Sequence, residues 1–252
     1  MAKIIELLGP SGVGKSALYF SLQKQWKEDD TWAVYHDFRY KRKKNSIASY
    51  VMGFKSFFYK TSYSDYIWSD GKIADNKLAF VEKYPEFIGT FLDIIHENAK
   101  YGIDGEDNRY IMIHYMMRTI EQLNNILSKP DDTRICLMYE SLLCRIMHLS
   151  SPNFYEQDLL IYLKDMPLPY AVIYLKASAQ TILERIKKRQ RTATIHEGLT
   201  DKLIIEQTLR TQHLMEFAND YLVKKNVPVI TFDAKMPIAD LTRKVIKFLS
   251  DE

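Results

Sequence analysis

The chain has 252 residues, enough to bury a full core in one domain and to carry a helical insertion. Charged residues make up 27% and hydrophobic ones 46%, a globular balance, and a net charge of +3 is too small to call for nucleic acid as a partner. No apolar run approaches a membrane span, and the two cysteines, Cys136 and Cys144, lack metal-type spacing and suit a reducing compartment.

The first element is KIIELL, Lys3 to Leu8, a short apolar run that reads as a buried strand. A strand beginning at Lys3 leaves no room for a signal peptide, so the expected location is cytoplasmic. A helix follows from Ser16, with Leu18, Leu22 and Trp26 at i, i+4 and i+8. Between them lies GPSGVGKS, which fits G-x-x-x-x-G-K-[ST] with Gly9, Gly14, Lys15 and Ser16 in the fixed places. Glycines at this density weaken regular structure, so they serve the backbone itself. In a strand-to-helix turn they let successive N–H groups surround phosphate oxygens at a helix N-terminus. The expected phosphate cradle is Gly9, Pro10, Ser11, Gly12, Val13, Gly14, Lys15, Ser16 and Ala17. Lys15 is expected to reach the β- and γ-phosphates of a nucleoside triphosphate, and the Ser16 hydroxyl to ligate Mg²⁺.

A second strand is expected over Trp32–Phe38, then a basic stretch, RYKRKKN, over 39–45. From Ser46 to Lys129 the pattern is mostly helical and aromatic-rich; Ile113, Met116, Met117 and Ile120 mark a core stripe. Arg134–Ser141 and Tyr170–Ser178 read as the third and fourth strands, the latter apolar enough to be buried on both faces. Ala179, Ile182, Leu183 and Ile186 form a helical face that ends at TATIHEGL. A long helix over 201–225, a strand over 227–233 and a final helix bearing Leu241, Val245, Phe248 and Leu249 complete the chain. Alternating strands and helices imply a parallel sheet wrapped on both faces.

Chemistry beyond the loop is expected at four places. Asp37, ending the second strand, could accept a proton from an attacking hydroxyl; His36 is the alternative, because adjacent strand residues face opposite ways. Glu140, ending the third strand beside the phosphate loop, could orient Mg²⁺ or its water. Arg185, Arg189 and Arg191, just ahead of a helix break, could close over phosphoryl charge as catalytic groups. The basic run with Phe54, Phe57, Phe58, Tyr59, Tyr63, Tyr66 and Trp68 is either an acceptor site or a solvated stretch beside core aromatics. The six histidines show no metal-ligand spacing.

The segment YLKASAQTILERIKKRQR resembles the lid region of deoxynucleoside and thymidylate kinases, and VPVITFDA resembles their last strand. The order of loop, strand, helical insert, acidic strand end, lid and final strand covers nearly the whole chain. The resemblance implies a three-layer P-loop NTPase fold of about five parallel strands. It implies one kinase-like domain over 1–252, with an acceptor-side insertion at about 46–130 and a lid at about 185–200. It also implies Mg²⁺-dependent transfer of the ATP γ-phosphoryl to a small molecule, a nucleoside or nucleoside monophosphate first of all. Arg185, Arg189 and Arg191 are then lid residues, and Asp37 lies where the acceptor-activating carboxylate sits. Two departures stand out. The third strand ends Tyr139-Glu140-Ser141 without the family's arginine, for which Arg145, about a turn later, is a candidate replacement. The loop itself is more like that of guanylate kinases, whose other motifs are not found. A sugar or metabolite kinase and an acceptor-free ATPase remain the alternatives; the lack of an N-K-x-D segment argues against a GTP switch. Neither a membrane nor nucleic acid is an expected partner, and a homodimer is compatible with this reading.

Overall fold

The computed structural model describes residues 3–27, 30–39, 79–97, 102–129, 131–189 and 196–251, with the backbone alone at 37 and 39. Strand β1 (Lys3–Leu8) leads through the glycine loop to helix α1 (Lys15–Gln25). Next come β2 (Trp32–Val34), α2 (Tyr35–Arg39), α3 (Ala79–Lys83), α4 (Pro85–Glu97) and α5 (Arg109–Leu127). Strand β3 (Ile135–Met138) runs into a 3-10 turn (Leu143–Arg145), α6 (Ile146–Leu149) and α7 (Glu156–Asp165). The chain ends with β4 (Ala171–Lys176), α8 (Ala179–Lys187), α9 (Asp201–Lys224), β5 (Val229–Asp233) and α10 (Ile238–Asp251).

The strands form one sheet in the order β2-β3-β1-β4-β5, every neighbouring pair parallel. β1 is central: Ile4 is opposite Cys136 of β3, and Leu7 is opposite Ile173 of β4. Five of the six β4 residues are buried, as a strand covered on both faces requires. From β1 the chain goes to the far side of β3, returns to β3, and then crosses to the opposite side of β1. That reversal opens a crevice at the carboxyl end of β1, where open α/β sheets bind their ligands. Helix α1 packs on α10, where Thr242 Oγ1 lies 2.8 Å from Ser21 Oγ, and α9 packs on α7 and α8. Ser178 caps α8 by accepting from Thr181 N, and Thr200 caps α9 by accepting from Leu203 N.

The expected strands are present, β1 with the expected bounds and the other four shorter. β2 ends at Val34, and Tyr35 to Arg39 is helical, so Asp37 lies on a short helix and not at a strand end. The ladder explains this. Among the described residues β2 pairs with β3 alone, in a register that ends with Val34 opposite Leu137, so the backbone beyond satisfies itself locally. The helix buries Phe38, whose carbonyl accepts from Lys129 Nζ at 2.8 Å. The core stripe of α5 is also rotated from the expected one. Met112, Met116, Ile120 and Leu123 are buried, whereas Ile113 and Met117 are exposed by 40% and 52%. The basic run beyond Arg39 and the aromatics at 54–68 lie outside the described residues.

Candidate active site

The glycine loop leaves β1 at the crevice and enters α1 at Lys15. Gly9, Gly12 and Gly14 have φ of 145°, 88° and 118°, a region that side chains oppose. Space is restrictive as well: a Cβ on Gly9 would stand 2.7 Å from the Leu175 carbonyl oxygen, and one on Gly12 2.9 Å from Ile186 Cγ1. The loop is therefore moulded against the end of β4 and against α8. Arg185 completes the fit. Its Nη1 donates to Val13 O at 2.6 Å and its Nη2 to Ala234 O at 2.7 Å, tying the loop to the turn after β5.

Lys15 is buried, and its Nζ donates to Gly9 O and, at 3.1 Å, to Pro10 O. Burial pulls its pKa below the ordinary lysine value; Cys144 and Glu140 act against this, while the Arg145 and Arg189 cations reinforce it. The ammonium is thus folded onto loop carbonyls near both a carboxylate and two guanidinium groups. Ser16 and Ala17 are exposed on the first turn of α1, where the free N–H groups of the helix favour anions.

The facing wall of the crevice is the stretch after β3. Glu140 is half-buried and lines a cavity of about 150 Å³ with Ser11, Met112, Tyr115, His148 and Gln207. The Tyr115 and His148 rings stack with centroids 4.4 Å apart. Burial first, then the charges of Arg145 and Lys15, hold His148 well below the usual imidazole pKa, so it is neutral at physiological pH. Arg145 is only 2% exposed. Its guanidinium carbon is 5.4 Å from the Tyr115 ring centroid, and its Nε donates to Ser141 O at 3.3 Å. Its Nη1 is buried without a hydrogen-bond partner among the described residues. The guanidinium does not itself line the cavity; packed on Tyr115, it places a buried positive charge behind the cavity wall.

Of the residues singled out by sequence, the loop residues, Lys15, Ser16, Glu140 and Arg185 gather around the crevice. Arg189 is exposed just past the end of α8. The Asp37 side chain and Arg191 lie outside the described residues. Ser16 and Glu140 offer hard oxygen donors, the kind that hold Mg²⁺ together with water and phosphate oxygens. Among the described residues no cluster of three His, Cys, Asp or Glu side chains could cage a metal. Sequence reasoning missed Tyr115, His148 and Glu6. The last had a visible signal, a lone carboxylate inside an apolar strand.

No family model matches the chain, and no curated protein matches it in sequence. Among solved structures it is similar to a deoxyadenosine kinase from M. mycoides, described with the products dCMP and a flexible dCDP bound. The match covers 99% of this chain and all of that one, with a TM-score of 0.51 and 15% identity. The fold is therefore that of a deoxynucleoside kinase-like P-loop protein. No helix among the described residues is long and apolar enough to cross a membrane.

Proposed function

We propose that the protein is a kinase that transfers the γ-phosphoryl group of ATP to a hydroxyl of a nucleoside or nucleoside monophosphate. The observation that carries this is the juxtaposition of two sites at one crevice. A complete phosphate loop, with three glycines at positive φ, stands beside a separate cavity that shares Ser11 with it and has Glu140 in its wall. An acceptor-free ATPase has no use for the second site. The chain-wide likeness to a kinase described with dCMP as a product supports a nucleoside acceptor.

In this reading the loop N–H groups and the N-terminus of α1 hold the β- and γ-phosphates, and Lys15 leaves its loop carbonyls to meet them. Ser16 and Glu140 would hold Mg²⁺, which supplies charge neutralisation across the phosphates. The acceptor oxygen attacks the γ-phosphorus while the bond to the β–γ bridging oxygen breaks and ADP leaves. The acceptor's proton passes to a carboxylate, Asp37 by the sequence reading. Arg185 keeps the loop in shape through Val13 and Ala234, and Arg189, with Arg191, closes over the transferring group. Residues of about 46–130 then form the acceptor-side insertion and about 185–200 the lid, in a cytoplasmic enzyme.

The test is ADP release from Mg·ATP with and without pooled nucleosides, nucleoside monophosphates and sugars. The expected result is slow release alone and stimulation by a nucleoside or nucleotide pool toward the ~1–100 s⁻¹ of kinases. Fast release that no pool alters would move the assignment to an ATPase. Stimulation by sugars alone would move it to a sugar kinase.

A further inference from the structure

Glu6 is a carboxylate in the middle of the central strand. It stands opposite Met138 of β3 and Val172 of β4 and is 2% exposed. An apolar side chain would pack there without the cost of desolvating a charge. The carboxylate is instead used. Its Oε2 accepts the Leu143 N–H at 3.0 Å, where the 3-10 turn begins. Burial pushes its pKa up to about 7, while the Ser141 hydroxyl, the Leu143 N–H and the Arg145 guanidinium favour the charged form. That hydroxyl makes no geometrically good hydrogen bond among the described residues.

The turn has other anchors. Cys144 Sγ lies 3.3 Å from Leu7 O, and Tyr162 Oη donates to Leu142 O at 2.9 Å. All three interact electrostatically with Arg145, but Glu6 differs in being a carboxylate, which accepts a backbone N–H and, when charged, attracts the Arg145 guanidinium. It lies three residues before Gly9, so one rigid strand carries the phosphate loop at its end and holds the acceptor-side turn through its side chain.

We propose that Glu6 is a positioning residue for phosphoryl transfer. Through Leu143 N–H and Arg145 it sets the 140–145 turn against the phosphate loop, so that Glu140 takes its place in the cavity wall and the Arg145 guanidinium packs behind Tyr115. The proposal rests on the kinase reading for its catalytic consequence but not for the anchoring itself. Small displacements of groups that position reactants are costly in rate, so the effect falls on turnover before it falls on nucleotide binding.

The experiment uses the full chain with Glu6→Gln, which can still accept from Leu143 N–H but lacks the charge, and Glu6→Leu, which has neither. Turnover is measured per folded molecule, well below each melting temperature, with Mg·ATP and deoxyadenosine or deoxycytidine. At pH ~8.5, above the Glu6 pKa of about 7, Glu6→Gln is expected to lower kcat roughly 10- to 100-fold. The KM for Mg·ATP and the melting shift on adding Mg·ATP should stay near wild type. Paired with Arg145→Lys, Glu6→Gln should add no further loss, because both act through one guanidinium. Amide hydrogen exchange, read without substrate, should quicken at residues 141–145 in Glu6→Leu and remain unchanged in the glycine loop. Wild-type kcat in Glu6→Gln, or a loss that adds to that of Arg145→Lys, overturns the catalytic role. Unchanged exchange at 141–145 overturns the anchoring. If the wild-type chain phosphorylates neither nucleoside while exchange quickens as expected, the anchoring stands and the choice of acceptor fails.

Discussion

The glycine-loop side and the cavity side of the crevice, donor and acceptor sides in the proposed function, are built on different principles. On the loop side the backbone does the work. Three glycines occupy conformations and spaces that side chains oppose, and Arg185 fastens the loop through two carbonyls. On the cavity side, side chains do it: Glu6 holds a turn, Arg145 is buried against Tyr115, and Tyr115 stacks on His148. A backbone site tolerates many neighbours but few substitutions within itself. A side-chain site can be retuned residue by residue, as changing an acceptor requires.

The comparison breaks most severely at Lys15. Removing a preorganised charge from a transition state costs ~3–4 kcal/mol, or ~10²–10³ in rate. Lys15→Ala should lose that much turnover in an ADP-release assay and keep its circular-dichroism spectrum. Near wild-type turnover would remove the phosphate loop from the chemistry altogether.

The buried carboxylate of the acceptor side should be visible in stability alone. Burial raises the Glu6 pKa to about 7, against the opposing pull of Ser141, Leu143, Arg145 and Leu142; Cys144 and Tyr162 also lie on the elements packed around this cluster. The folded state therefore binds this proton more tightly than the unfolded chain, whose ordinary value is 4.5. The resulting stability is full below pH ~4.5 and is lost as the pH rises to ~7, on the order of 3 kcal/mol in all. Urea unfolding of wild type and Glu6→Gln at pH 4.5 and 8 isolates the effect from other carboxylates. Wild type should lose stability relative to the variant at the higher pH, and parallel behaviour would mean that Glu6 titrates normally.

Glycine substitutions sharpen the contrast further. In Gly12→Ala the new methyl meets Ile186 and Ile182 at 2.9 and 3.0 Å with φ at +88°, so the chain should lose about 1–3 kcal/mol. Gly89, exposed within α4, has no neighbouring atom within 4 Å of the place a methyl group would take, and Gly89→Ala should stabilise by about 0.5–1 kcal/mol. Thermal melts of the pair give opposite signs if only the donor-side glycine is conformationally required.

The smallest effect on activity is expected at His148. His148→Ala removes one face of the stacked pair and should raise the acceptor KM about tenfold, ~1.4 kcal/mol, with the KM for Mg·ATP unchanged. A change in the nucleotide KM would place His148 on the donor side instead.

The sequence by itself determined the glycine loop between β1 and α1 and the sheet. Gly9, Gly14, Lys15 and Ser16 are recognisable because backbone geometry restricts them to few residue types at fixed spacing. Buried strands of a parallel sheet are recognisable as apolar runs, so β1 is read to the residue and β4 to within two; the edge strand β5, where only Phe232 is buried, is read from a weaker pattern. Where pairing sets the limits, local pattern was insufficient. β2 stops at Val34 because its ladder with β3 ends there, and Ile113 and Met117 are exposed because the partners of α5 lie on its Met112–Leu123 face. Only the tertiary structure brought Glu6 to Leu143 and Arg145, 137 residues away from the carboxylate in the first case, and Tyr115 to His148. Such contacts carry no spacing rule. Their cause is the crossing of the chain over β1, which sets the end of β3 beside the strand that bears the phosphate loop.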